Sequence, residues 1–217
     1  MKTALVIGAT GLVGSCLVSR LLEDDRFARV VIFTRRSSGL AHEKLEEHIV
    51  DFDQPEIFRD LVKGDILFSA LGTTIKTAGS KAVQYLVDYT YQYCFARAAS
   101  ENRVPGYVLV SSAQASPKAR SFYSRMKGEL ERDIRLLDFK QLHILQPSLL
   151  AGDRSENRPG ERFGGAFLHC LNRLGLFKRY RPIKGDIVAK AMINVCFTAS
   201  ASPQVHELDE LFKLAGC

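Results

Sequence analysis

The feature that most constrains this chain is a glycine-rich turn that comes directly after an apolar run. Residues 4–7 are all apolar, and the next seven are Gly8-Ala9-Thr10-Gly11-Leu12-Val13-Gly14. Apolar residues then recur at helical spacing, at Leu12, Val13, Cys16, Leu17 and Leu21. Glycines at a strand-to-helix junction let backbone amides approach a pyrophosphate and aim the helix N-terminus at its charge. The turn therefore predicts a nucleotide-binding site; the alternative is a tight turn without a ligand.

The composition is that of one soluble domain, which we place at residues 1–217. The chain is 46% hydrophobic, carries a formal net charge of +6 and has no apolar run long enough to span a membrane. Its basic residues are scattered among acids, so we expect no nucleic-acid partner. Five dispersed cysteines and five histidines without metal-ligand spacing predict neither a disulfide framework nor a metal site. We expect a cytoplasmic protein, and a homo-oligomer is possible.

Short apolar runs alternate with amphipathic segments along the first two thirds of the chain. Strands are predicted at residues 4–7, 30–33, 48–50, 66–68, 107–110 and 142–145, and helices at 81–99, 123–137, 161–175 and 185–200. This alternation is typical of an α/β fold in which helices cover both faces of a parallel sheet, a doubly wound arrangement. Residues 148–182 follow the sixth strand and are expected to form a small substrate-covering region at the C-terminal edge of the sheet.

The residues after the second and third strands bear on which nucleotide binds. Thr34 is followed by Arg35 and Arg36, where a site for NAD(H) usually carries an acid for the ribose 2′-hydroxyl. Two guanidiniums instead favour the 2′-phosphate of NADP(H); an ordinary pair of surface arginines is the alternative. Asp51 and Phe52 stand where a carboxylate and a backbone amide could meet the adenine, although a solvated loop acid would look the same.

Two further segments suggest a reaction. Small residues end the fourth strand, in the order Ser69-Ala70-Leu71-Gly72-Thr73-Thr74, and would let the backbone pass close to a cofactor. Ser111 and Ser112 end the fifth strand, while Tyr123 and Lys127 are four apart on a predicted helix and so share one face. A lysine there favours the phenolate and so lowers the pKa of the tyrosine toward the working pH. A phenol with a lowered pKa can protonate a carbonyl oxygen. Ser112, or less favourably Ser111, would orient that oxygen.

These residues together resemble the short-chain dehydrogenase/reductase superfamily, which carries an N-terminal glycine turn and a serine with Tyr-x-x-x-Lys. The segment Leu71-Gly72-Thr73-Thr74 and the loop Asp153-Arg154-Ser155-Glu156-Asn157-Arg158-Pro159-Gly160 are similar to the atypical subgroup that contains the Tat-interacting tumour-suppressor oxidoreductase. The resemblance covers nearly the whole chain.

The resemblance implies a Rossmann-like fold that binds NADPH. It places Thr10, Gly11, Leu12 and Val13 at the pyrophosphate, and Arg35 and Arg36 at the 2′-phosphate. Leu71 and Gly72, with Thr73 beside them, would line the cofactor. Tyr123 and Lys127 would contact the nicotinamide ribose, while Leu150 and Arg158 would lie beside the nicotinamide.

Two functions fit the sequence. The first is an NADPH-dependent oxidoreductase that reduces a small carbonyl compound with Tyr123, Lys127 and Ser112. The second is an NADP(H)-binding sensor or interaction regulator with little turnover. They differ in whether residues around 150–182 close an apolar pocket over the nicotinamide.

Overall fold

The computed structural model describes residues 1–151, 181–198 and 202–217. These residues build a seven-stranded parallel sheet and a separate two-stranded pair. The strands are β1 (Lys2–Ile7), β2 (Phe27–Thr34), β3 (Leu45–Ile49), β4 (Ile66–Ser69), β5 (Gly106–Val110), β6 (Gln141–Gln146), β7 (Leu150–Ala151), β8 (Ile183–Lys184) and β9 (Gln204–Glu207). The order in the large sheet is β3-β2-β1-β4-β5-β6-β9, and β7 pairs with β8.

Helices cover both faces of the sheet. They are α1 (Leu12–Glu23), α2 (Pro55–Phe58), α3 (Ile75–Ala78), α4 (Lys81–Tyr85), α5 (Tyr91–Glu101), α6 (Phe122–Ile134), α7 (Gly185–Val195) and α8 (Glu210–Leu214), and one π-helical turn, Leu86–Thr90, joins α4 to α5. The predicted Rossmann-like, doubly wound α/β fold is confirmed.

The apolar strands bury both of their faces, which explains why they read as unbroken apolar runs. On β1, Leu5 and Ile7 belong to a core with α2, α5 and α6, while Ala4 and Val6 belong to a second core with α1, α7 and α8. The strand order reverses between β1 and β4, which flank the central crevice. In open sheets of this kind ligands bind outside the carboxyl ends of the strands at that reversal.

Several predicted boundaries are wrong. The helix expected at 81–99 is interrupted by the π-helical turn and runs on to Glu101. The third strand occupies Leu45–Ile49 rather than 48–50, and α6 and α7 end at Ile134 and Val195, earlier than predicted. The helix expected at 161–175 lies outside the described residues.

The seventh strand, β9, was not predicted. It pairs in parallel with β6 and brings His206 beside His143 in the interior. Nδ1 of His143 lies 3.2 Å from Nε2 of His206, whose Nδ1 lies 2.8 Å from a carboxylate oxygen of Glu210. Burial, and secondly the neighbouring His206, lowers the pKa of His143 to about 4. His143 is therefore neutral in the folded protein at pH 7.

This histidine predicts a loss of stability in mild acid. An unfolded histidine has a pKa near 6.5, so between about pH 6.5 and pH 4 the unfolded chain binds a proton that folded His143 does not. Stability must therefore fall as the pH falls through that window. We expect His143→Gln to remove on the order of 1–2 kcal/mol of the loss between pH 7 and pH 5, measured by urea unfolding at both pH values. Identical losses in the two proteins would contradict this assignment.

Candidate functional site

The glycine turn between β1 and α1 touches the end of β4 through backbone alone. Gly8 has a φ of +81°, and a Cβ built there would lie 2.5 Å from the carbonyl carbon of Ala70 and from the amide nitrogen of Leu71. Such a contact leaves no room for any side chain. Gly8 therefore brings the turn and the segment after β4 together at the crevice.

The same turn leaves the start of α1 open. A Cβ on Gly14 would lie 1.9 Å from the carbonyl oxygen of Gly8, so α1 begins in direct contact with the strand it follows. Gly11 caps the helix without a side-chain hydrogen bond, and the first turn of α1 contains no acid. The first amides of a helix lack intrahelical partners and attract anions. Thr10 is exposed at the tip, whereas the side chain of Val13 is buried. This cradle fits a pyrophosphate bound by backbone amides.

Arg35 and Arg36 are exposed immediately after β2. Among the residues that the structure describes, neither guanidinium has an ion-pair partner, and Thr34 is buried beside them. Both guanidiniums are thus available to an anion at the carboxyl edge of the sheet.

In the segment after β3, the Asp51 carboxylate is hydrogen-bonded to residues that follow it directly in the chain. The Asp51 carboxylate accepts hydrogen bonds from the Asp53 amide at 3.0 Å and from Nε2 of Gln54 at 2.9 Å. The ring of Phe52 is buried against Phe58, Tyr91 and Phe95, so only its backbone is free to meet a ligand. A role for Asp51 and Phe52 at the adenine stays a prediction.

After β4, the chain is tied to the interrupted helix by one carboxylate. The Thr73 amide donates to Oδ2 of Asp88 at 2.9 Å, and a Cβ on Gly72 would lie 3.2 Å from Oδ1 of the same residue. Leu71 is half-buried and Gly72 is exposed. Asp88 lies in the π-helical turn, and its side chain is 1% exposed. This buried carboxylate therefore fixes the position of the backbone after β4.

Asp88 also holds Lys127. Its Oδ1 lies 3.2 Å from Nζ of Lys127, and both side chains are almost fully buried. Burial by itself lowers the pKa of the Lys127 ammonium, but the facing Asp88 carboxylate, together with Tyr123 and Glu131, outweighs burial and holds the pKa above its ordinary value. Lys127 is therefore a fixed cation at pH 7.

Sequence reasoning missed Asp88, although a signal for it exists. Gln84, Asp88 and Gln92 follow one another at intervals of four on a helix that packs against the sheet, and all three are buried. A polar stripe on a face that must be buried indicates a hydrogen-bonded network rather than a solvated surface.

Tyr123 lies one helical turn before Lys127 on α6, with 37% of its surface exposed. Of the two serines, Ser111 is buried and donates to the Glu131 carboxylate, which Gln146 also contacts. Ser112 is half-buried, and among the described residues its hydroxyl has only a long contact, 3.4 Å, to the Ala113 carbonyl oxygen. The geometry leaves Ser112 available and commits Ser111 to the interior.

Gly128 presses α6 against the loop that carries Ser112. A Cβ there would lie 2.1 Å from the carbonyl carbon of Ser116, and the Ser116 amide donates to the Ser124 carbonyl at 3.0 Å. These contacts fix the start of α6, and with it Tyr123, beside the end of β5.

The remaining predicted contacts lie at the C-terminal side. Leu150 belongs to β7 and is half-buried, whereas Arg158 lies outside the described residues, as do residues 152–180 of the expected substrate-covering region. An unpredicted neighbour is Gly185 at the start of α7, where a Cβ would lie 2.8 Å from the Leu12 carbonyl oxygen. In the described part of the chain, no cluster of three or more histidine, cysteine or acidic residues could hold a metal, and no helix is long and apolar enough to cross a membrane.

Residues 8–148 match the model of a family described as NAD(P)H-binding. The chain belongs to the NAD(P)H-binding family. The matched region runs from the glycine turn to the end of β6 and contains Lys127 and Asp88.

The chain is also similar to named mitochondrial proteins and to a solved structure. The chain is 34% identical to Protein FMP52, mitochondrial, of Saccharomyces cerevisiae over 210 residues, covering 93% of this chain and 90% of that one. It is 38% identical to Protein fmp52, mitochondrial, of Aspergillus fumigatus, covering 100% and 96%. A short-chain dehydrogenase/reductase superfamily protein of Agrobacterium tumefaciens, solved with bound NAD, superposes with a TM-score of 0.69 at 18% identity, covering 95% of this chain and 77% of that one.

The predicted resemblance to atypical short-chain dehydrogenases/reductases is thus confirmed: this NAD(P)H-binding protein has their Rossmann fold. The expected cytoplasmic location is wrong, because the relatives are named as mitochondrial proteins.

The turn of this NAD(P)H-binding protein supplies a direct test of its packing. Gly14→Ala would drive a methyl group into the Gly8 carbonyl, and we expect a loss of roughly 2–4 kcal/mol in the free energy of unfolding, measured in urea without cofactor. Gly11→Ala is the matched control: a Cβ at Gly11 would lie 3.3 Å from the same oxygen and its φ is −82°. Equal losses in the two variants would show that the close approach at Gly14 is not the cause.

Proposed function

We propose that this NAD(P)H-binding protein is an NADPH-dependent oxidoreductase that reduces a small carbonyl compound. The observation that carries the proposal is the buried, charged Lys127 one helical turn from the exposed Tyr123. These side chains follow β5, which pairs with β4, and the end of β4 in turn contacts the glycine turn. A cofactor bound at the turn would reach them along the carboxyl edge of the sheet.

The charges after β2 support NADPH over NADH. Arg35 and Arg36 are exposed and unpaired among the described residues, and the strand ends in Thr34 rather than in an acid. Planar guanidiniums match a 2′-phosphate in geometry as well as in charge.

Each side chain of the site has a separate task in the proposed reaction. Lys127, held by Asp88, donates hydrogen bonds to the ribose hydroxyls of the nicotinamide half. Ser112 donates to the substrate carbonyl oxygen and orients it. Tyr123 transfers its phenolic proton to that oxygen and, being exposed, regains a proton from solvent. NADPH, when bound, supplies the hydride that the carbonyl carbon accepts.

The names of the relatives bear on where this reaction takes place. We propose a mitochondrial location for this protein, as for the FMP52 proteins it resembles.

The choice of cofactor is tested by titrating NADPH and NADH into the wild-type protein and Arg35→Ala. We expect the wild type to bind NADPH at least tenfold more tightly than NADH, and Arg35→Ala to weaken NADPH alone by roughly 10- to 100-fold. Arg29→Ala is the matched control, because Arg29 is an exposed arginine near the opposite end of the same strand. Equal affinities for the two nucleotides in the wild type would refute the proposed preference.

The chemical step is tested with Tyr123→Phe in steady-state NADPH oxidation over a panel of aldehydes, ketones and quinones. Loss of the proton donor should lower turnover by about 10²- to 10⁴-fold and leave NADPH affinity nearly unchanged. Tyr93→Phe, on α5, removes a hydroxyl elsewhere and should retain activity. Full turnover in Tyr123→Phe would remove the acid from the mechanism, and flat wild-type rates with tight NADPH binding would favour the sensor instead.

A further inference from the structure

We infer that Glu47 on β3 sets the cofactor preference by holding the segment that carries Arg35 and Arg36. The inference rests on the proposed use of NADPH and adds a specificity-determining residue from a neighbouring strand. Glu47 does not itself need to touch the nucleotide: it acts as a positioning residue through the backbone on either side of the two arginines.

The Glu47 carboxylate brackets the two arginines. One of its oxygens, Oε1, accepts hydrogen bonds from Oγ1 of Thr34 at 3.0 Å and from the Ser38 amide at 2.8 Å. The other, Oε2, lies 3.4 Å from Oγ of Ser37. Thr34 precedes the two arginines, and Ser37 and Ser38 follow them. The single side chain of Glu47 therefore holds both ends of residues 34–38, which we call the tip.

The register of the sheet explains how Glu47 reaches this tip. On the paired strand Glu47 lies opposite Ile32, and its side chain extends toward the carboxyl end of β2. The segment beyond, residues 35–44, contains no helix or strand. The other side-chain contacts made by Ser37 and Ser38 are short-range bonds to Gly39 and Leu40 within that segment. Glu47 is thus its long-range side-chain anchor to the sheet at this end.

The chemistry of Glu47 fits an anchor rather than a ribose ligand. Burial by itself raises the pKa of Glu47, but the hydrogen bonds from Ser38 and Thr34 outweigh burial and hold the pKa below its ordinary range. Glu47 is therefore a carboxylate at pH 7. Its oxygens are already hydrogen-bonded to the tip, whereas an acid that selects NADH must present them to the ribose hydroxyls.

Two substitutions of Glu47 distinguish the effect of losing the anchor from the effect of losing the negative charge. Glu47→Ala removes the anchor and the negative charge together. Loss of the charge alone would favour binding of a 2′-phosphate, so weaker binding is diagnostic of a displaced tip. Glu47→Gln removes the charge but keeps an oxygen that accepts from the Ser38 amide. The matched control is Glu46→Ala, whose side chain lies on the other face of β3 and contacts Arg29 and His48.

The experiment measures dissociation constants for NADPH and NADH with each full-length variant. We expect Glu47→Ala to weaken NADPH about 5- to 20-fold and NADH less than twofold. Glu46→Ala should keep the wild-type ratio of the two affinities, whereas Glu47→Gln, which loses the charge but keeps the anchor, should keep or increase the preference for NADPH. Thr34→Val removes the hydrogen bond from Thr34 to Glu47 with little change of shape, and it should weaken NADPH binding by a smaller factor than Glu47→Ala. This variant also tests the inference if Glu47→Ala does not fold.

Three results with the variants would overturn the inference. One is an unchanged affinity ratio in both Glu47→Ala and Thr34→Val, and another is tighter NADPH binding by Glu47→Ala. The third is a larger loss for NADH than for NADPH, which would make Glu47 a ribose ligand. If the variants without the anchor keep the wild-type preference for NADPH, the role of Glu47 is overturned but the proposed cofactor is not. Equal wild-type affinities overturn the proposed cofactor and this inference together.

Discussion

Backbone contact among three segments is the constraint on which the rest of this molecule depends. Gly8 meets the end of β4 at Ala70 and also the first turn of α1 at Gly14, at distances that exclude any Cβ. Because the strand order of the sheet reverses between β1 and β4, this contact lies in the crevice itself. Gly185 extends the same close packing to α7. The start of α1 therefore offers main-chain amides to an anion, while side chains such as Val13 pack in the core.

The buried pair of Lys127 and Asp88 changes how the Tyr-x-x-x-Lys pattern acts here. Burying two charges costs about as much as their attraction returns, so the pair is poorly explained as a source of stability. It is better explained by position, since Asp88 fixes Lys127 and, through the Thr73 amide, the segment after β4. The field at Tyr123 is that of an ion pair rather than of a lone cation. In the proposed reaction, Lys127 would therefore serve chiefly as a fixed hydrogen-bond donor.

The sequence predicts the glycine turn and the strands that are buried on both faces. Short continuous apolar runs are typical of such strands. Edge strands were predicted less well: β9 was missed, since three of its four residues are polar, and β3 was placed too late in the chain, since it carries Glu46, Glu47 and His48 within five residues. Asp88 was missed for a related reason, since an acid within an amphipathic helix is usually solvated. The stripe formed with Gln84 and Gln92 was the available signal, and the fold shows that all three side chains are buried. The sequence pattern likewise continued through the π-helical turn, because apolar spacing is insensitive to one wider turn.

The two ends of the candidate cofactor site differ in kind. At the nicotinamide end the contacts are buried, and a change in Asp88 or Gly128 would disturb packing as well as chemistry. At the adenosine end Arg35 and Arg36 are exposed on a tip held by a half-buried carboxylate of an edge strand. Substitutions at exposed positions generally cost little stability. Selection between the two nucleotides can therefore change at this edge without altering the core that positions Tyr123 and Lys127.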